Sequence, residues 1–270
     1  EISACLVGSE MCIRDSIRKE LNMANPVLGE RSFKSTFDNG LELEHVMTIN
    51  GTIIKTCMLG LFLALTFAYT WYLQLAGFAD KVAILRNVGT FGGLILCLII
   101  CFAPKNKMLA ITTPLYAMCE GLFLGSYSAL LNQYFPGIAS QAAMGTVFAL
   151  FGMFLLYKTK VIKCTDKFRM VIFNSTLAVF GIYMLQLILS FFHISIPGLF
   201  SNSLLGIGFS VVVVAIASFN LIVDFDFIEK FAGNVDKYFE WYGGFALMVT
   251  IVWLYIEILN LLAKIQSRNN

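Results

Sequence analysis

Gly243-Gly-Phe-Ala-Leu-Met-Val-Thr-Ile-Val-Trp-Leu-Tyr-Ile-Glu257-Ile-Leu-Asn-Leu-Leu262 decides the reading of this chain. Twenty residues at about 1.5 Å each span the ~30 Å hydrocarbon core of a bilayer. The stretch nevertheless carries a carboxylate in its C-terminal half. A lone carboxylate there costs roughly 3 kcal/mol unless it is paired, protonated or wet. The preceding apolar segment also ends in acid, Asn220-Leu-Ile-Val-Asp224-Phe-Asp226-Phe-Ile-Glu229. The fold and the function are therefore read from where these two segments meet.

Composition sets the class. Of 270 residues 58% are hydrophobic and 13% charged, whereas soluble domains average about 45–50% and about 25%. An all-α polytopic membrane protein is expected, with no room for a large soluble domain. Seven apolar segments follow one another at about 53–73, 82–103, 108–131, 138–157, 170–192, 203–228 and 242–263. Residues 1–22 lack the order of a secretory signal and resemble a translated sequencing adapter or a disordered leader. Met23 is read as the start, with a cytoplasmic tail over 23–52, the bundle over 53–264 and a short tail over 265–270.

Basic residues set the orientation. With the N-terminus inside, the inner loops hold Lys105 and Lys107, then Lys158, Lys160, Lys163, Lys167 and Arg169, then Lys230 and Lys237. The outer side holds Lys81, Arg86, Lys264 and Arg268. The positive-inside rule then places the N-terminus in the cytoplasm and the C-terminus outside. Gly89–Gly93 and Gly121–Gly125 repeat the small-residue spacing that lets helices approach closely, which is read as packing within one monomeric bundle.

Three further observations narrow the chemistry. Cys97 and Cys101 share a helix face, but without a nearby histidine they read as inert buried thiols. No H-E-x-x-H, G-x-S-x-G or P-loop pattern is present, and the sequence contexts of intramembrane aspartyl proteases are missing. No enzyme, cofactor, tightly bound metal or nucleic-acid partner is expected. The intramembrane acids remain as candidates. Glu120 falls on a polar stripe with Thr113, Tyr116 and Tyr127, placing it toward the bundle interior or a wet path. Asp224 shares a face with Asn220, and Asp226 points elsewhere. Glu257 shares a face with Thr250, Asn260 and Lys264, the last long enough to snorkel outward. Two carboxylates brought together in a low dielectric would titrate as a unit.

Met23-Ala-Asn-Pro-Val-Leu-Gly-Glu-Arg-Ser-Phe33, Thr48-Ile-Asn-Gly-Thr-Ile-Ile-Lys-Thr56, Asn220–Glu229, Trp241-Tyr-Gly-Gly244 and Trp253–Leu262 together resemble the bacterial branch of the Bax inhibitor-1 family of membrane proteins. The resemblance implies a seven-helix fold with the last helix central. It also implies a pH-sensitive calcium leak in the inner membrane, governed by acids on the sixth and seventh helices. Asp224, four residues before Ile228, and Glu257, within Leu254-Tyr-Ile-Glu-Ile-Leu-Asn-Leu261, match those positions, with Glu in place of the usual Asp. Asn220, Asn260, Asp226 and Glu120 are then candidates for lining the path. A basic latch at the inner end of the second helix would fall to Lys105 or Lys107, neither of which has the bidentate fork of arginine. Calcium ions, protons and lipid are the implied partners. The resemblance equally allows a non-transporting regulator that binds other membrane proteins, such as a membrane-anchored protease.

Overall fold

The computed structural model describes residues 46–102, 107–192, 198–199 and 201–269. Among the described residues seven helices follow in order: α1 (Ile49–Leu75), α2 (Ala79–Phe102), α3 (Leu109–Tyr134), α4 (Ile138–Lys158), α5 (Asp166–Phe191), α6 (Leu204–Phe231) and α7 (Phe239–Asn269). Local chemistry fixes three of their starts. Thr48, Thr165 and Ser203 each accept a bond from the first-turn N–H of Gly51, Phe168 and Gly206, satisfying donors that a helix start would leave bare. Gly77 and Gly137 take φ of +82° and +85°, conformations that only glycine adopts at little cost, and so turn α1 into α2 and α3 into α4.

α7 packs against α1, α3, α4 and α6, and α3 also packs against α1 and α2. The principal core runs along α7 through Phe239, Tyr242, Phe245, Ala246, Val252 and Leu259, so the opening segment is the central helix. Outward faces are apolar: Leu61, Leu65, Phe91, Phe148, Phe180 and Phe191 are all exposed, as residues solvated by lipid tails would be.

Six of the helices are long and apolar enough to cross a membrane, and α3 is the one that does not qualify. Its Thr112, Thr113, Glu120, Ser126, Ser128 and Asn132 lower its hydropathy, and burial makes this polarity tolerable. Tyr116, Ala117, Leu124 and Ser128 of α3 are enclosed by the bundle. The small-residue spacings do serve packing inside it. A Cβ at Gly89 would sit 2.7 Å from the Cys119 carbonyl oxygen and 2.7 Å from the Phe123 amide nitrogen, so α2 lies on the backbone of α3.

The chain entering α1 is tied to the α6–α7 connection. The Met47 N–H donates to the Val235 carbonyl at 2.7 Å, and the Gly233 N–H returns a bond to the Met47 carbonyl at 2.8 Å. The adapter-like leader, the cytoplasmic tail up to residue 45, Lys105 and the histidines His45 and His193 lie outside the described residues.

Candidate functional site

The site is built on one stripe of α7. Thr250, Glu257 and Lys264 recur every seven residues, two helical turns, so they stand in line on one face. That face borders a cavity of about 850 Å³ between α5, α6 and α7. The cavity reaches from Asn220 and Thr250 at its deep end, past Tyr183, Trp253 and Glu257, to the exposed Asn202 and Ser267. Asn260 lines it as well.

Asp224 lies behind the deep end, bonded to the lining residue Thr250 rather than lining the cavity itself. It is 1% exposed, and the Thr250 hydroxyl donates to its Oδ2 at 2.5 Å. Asn220, one turn earlier on α6, donates through Nδ2 to Thr176 at 2.8 Å and to the Ile216 carbonyl at 2.9 Å. Glu257 is 3% exposed and keeps its own donors: Tyr183 Oη at 2.7 Å and the Trp253 indole N–H at 3.1 Å, both to Oε1. These bonds supply what a carboxylate loses on leaving water.

The anchor points of the two acids on α7 are seven residues apart, about 10 Å of helical rise. Glu257 thus lines the cavity while Asp224 stands behind its deep end, bonded to Thr250, and each acid keeps separate donors. Asp224 also lies deeper than a helix-end acid, since it precedes the end of α6 by seven residues. The register between the segments is therefore set by the Thr250–Asp224 bond.

Lys264 does not snorkel outward. Its Nζ donates to Ser210 Oγ at 2.8 Å and to the Gly206 carbonyl at 3.2 Å, which turns it onto the first turns of α6 at the cavity mouth. Asn260 accepts a bond from Tyr127 of α3 at 2.7 Å, tying the cavity wall to the polar stripe of that helix.

Two expected members lie elsewhere. Glu120 is not among the cavity-lining residues. Its carboxylate faces α2, where a Cβ added to Gly93 would be 3.0 Å from Oε1. Glu120 and Tyr127, seven residues apart, share one stripe of α3, but the neighbour along that stripe changes from α2 beside Glu120 to α7 beside Tyr127. Lys107 is exposed and borders a separate pocket with Asp236 and Trp241. Trp241 precedes Thr250 by nine residues, about 13 Å of rise, so Lys107 stands well below the level of Asp224.

A different arginine occupies the region beneath Asp224. Arg169, at the start of α5, donates through Nη2 to Asp226, whose other cation is Lys230 at 3.2 Å. Asp166 lies 3.8 Å from the same guanidinium. Beside this cluster Tyr157 donates its hydroxyl to Glu229. Asp226 therefore belongs to a buried ion cluster joining α5 to α6 rather than to the cavity wall. In the sequence Arg169 counts only as one more inner basic residue. Its spacing from Asp166, and that of Lys230 from Asp226, were the available signals.

The second missed arrangement is at the start of α7. Glu240, 1% exposed, accepts from Lys55 Nζ at 2.5 Å and from the Thr48 N–H and hydroxyl at 3.0 and 2.8 Å. An acid in the first turn of a helix is favoured by the helix dipole, and here it also clamps α1 to α7.

Among the described residues no group of three His, Cys, Asp or Glu side chains is placed to hold a metal ion. The cavity instead has one buried acid, Glu257, in its wall, with further oxygen atoms from Thr250 and Asn260 along the same side. Such spacing suits transient contacts with a hard cation or a proton more than a closed coordination shell.

Comparison with curated proteins and with solved structures returned no significant match. A family model described as Bax inhibitor 1 like matches residues 22–267. With seven helices among the described residues, six of them long and apolar enough to cross a bilayer, and this match over nearly its whole length, the chain is a multi-pass membrane protein of the Bax inhibitor 1 like family.

Proposed function

We propose that the protein is a pH-sensitive leak pathway for calcium or a similar hard cation, set in a bacterial inner membrane with its N-terminus in the cytoplasm. The observation that carries this reading is the cavity running from exposed Asn202 and Ser267 down to Thr250, with Glu257 in its wall and Asp224 bonded at its floor. On this reading the cavity serves as a half-path from the C-terminal side of the bundle. The Arg169–Asp226–Lys230 cluster then stands between Asp224 and the other side and is what must move for ions to pass.

Protons act at two stations. Glu257, held by Tyr183 and Trp253, meets a cation or proton arriving from the mouth. Asp224 governs the floor through Thr250, the residue common to both the cavity and the Asp224 bond. Loss or gain of a proton at Asp224 changes what Thr250 can donate to, and with it the contact that keeps α6 against α7. Asn220 supplies a neutral oxygen near the floor, and Asn260 one on the mouth side of Glu257. Glu120, facing α2, is assigned to packing rather than to the path.

Purified protein in liposomes tests the reading. Entrapped calcium should escape at a rate that depends on the protein and changes across roughly pH 5–8, where a buried carboxylate can titrate. Flux equal to that of protein-free liposomes at every pH would reject transport and favour a regulator that acts by binding other membrane proteins.

A further inference from the structure

A second pocket, of about 430 Å³, opens at the opposite end of α7 and is independent of the cavity above. It is lined by Lys55 of α1, Lys107 and Ala110 at the start of α3, and Asp236, Lys237, Tyr238 and Trp241 at the start of α7. Three lysines face one aspartate there. Lys55 is already held by Glu240 and lies 5.2 Å from the centre of the Trp241 ring. Lys107 and Lys237 are exposed, and so offer their ammonium groups to something outside the chain.

We infer that this pocket binds the phosphate headgroup of an anionic phospholipid. Basic pockets between helix ends at the membrane surface attract such headgroups through the charge of their lysines. Tyr238 and Trp241 are the residue types that settle at the headgroup level. The lipid source, rather than free phosphate, follows from what adjoins the pocket. Ile54 and Met58 beside Lys55, and Ile111 and Leu115 beyond Lys107, are exposed apolar side chains, so the pocket passes directly into surface suited to acyl chains. A phosphodiester seated between Lys107 and Lys237 would place its glycerol toward Ala110 and its tails along α1 and α3. Trp241, already stacked on the Lys55 ammonium, forms the pocket wall on the α7 side. The ligand would bridge α3 to the α6–α7 connection, two parts of the chain that the Glu240 clamp does not join.

Thermal unfolding of the full-length protein in neutral detergent tests this, with phosphatidylglycerol, phosphatidylcholine or inorganic phosphate added. Phosphatidylglycerol at about 100 times its Kd should raise the midpoint by roughly 5–10 °C, and phosphatidylcholine should not. The double variant Lys107→Gln/Lys237→Gln should keep its own midpoint without lipid and lose most of that rise. An equal rise in the double variant, or no rise in the wild type, overturns the site. A rise produced by inorganic phosphate alone overturns its assignment to lipid.

Discussion

Thr250 of α7 donates its hydroxyl to Asp224 of α6 at 2.5 Å while its side chain also borders the cavity that holds Glu257. This one bond sets the register of the two acidic segments, because it fixes which turn of α7 faces the acid of α6. Thr250→Val keeps the shape and removes the donor, leaving a buried carboxylate short of a partner. It should lower stability by about 1–3 kcal/mol, read from unfolding in detergent, while Thr250→Ser should stay within about 1 kcal/mol of wild type.

Arg169 and Asp226 form a buried ion pair that joins α5 to α6 beneath the cavity. Breaking such a pair from one side costs about 3–5 kcal/mol, because the other charge is left behind in a low dielectric. Arg169→Gln should cost less than Asp226→Leu, since Lys230 remains 3.2 Å from Asp226. Replacing both with apolar residues should recover much of the loss. A double-mutant cycle in unfolding free energy measures this, and a coupling near zero would show that the pair does not tie the helices.

Lys264 stands at the mouth of the cavity, two turns outward from Glu257 and turned inward onto α6. A positive charge there repels an entering cation by about 1 kcal/mol in a wet setting. Lys264→Gln keeps a donor for Ser210 and removes the charge. Initial cation leak from liposomes should rise roughly 2–5-fold, with no change expected if cations do not enter by this mouth.

Gly89 and Gly60 make a matched pair for the packing of the bundle. Gly89→Ala drives a methyl group into the α3 backbone at 2.7 Å and should destabilise by about 1–3 kcal/mol. Nothing lies within 4 Å of a Cβ at Gly60, so Gly60→Ala should be neutral or stabilise by up to about 1 kcal/mol through helix propensity. Midpoints that moved alike in the two variants would contradict the close α2–α3 contact.

Much of the fold was legible in the sequence because hydropathy and helix length act locally. The seven segments match the seven helices to within several residues, and the last segment is central as the resemblance implied. What local pattern cannot supply is helix rotation and depth. Glu120 and Tyr127 share a stripe of α3 on a helical wheel, yet packing turns one toward Gly93 and the other toward Asn260. Asp224 reads as an acid near a helix end until Thr250 shows how far into the bundle it lies. Lys55 and Glu240 are 185 residues apart, and Tyr183 and Glu257 are 74 apart. Contacts of that separation are made by tertiary packing, which no window of sequence contains. Arg169 was hidden for another reason. Its charge fits the inner-loop pattern so well that nothing marks it as buried.

The central proposal is that Glu257 in the cavity wall and Asp224 behind its floor make the leak depend on pH. Calcium efflux from liposomes carrying wild type, Asp224→Asn or Glu257→Gln, followed across roughly pH 5–8, tests it most directly. Both substitutions preserve size and oxygen acceptors, so the variants should fold. The account predicts a pH-dependent leak in wild type that becomes flat, or shifts by about a pH unit or more, in each variant. A wild-type pH profile retained in both would contradict it.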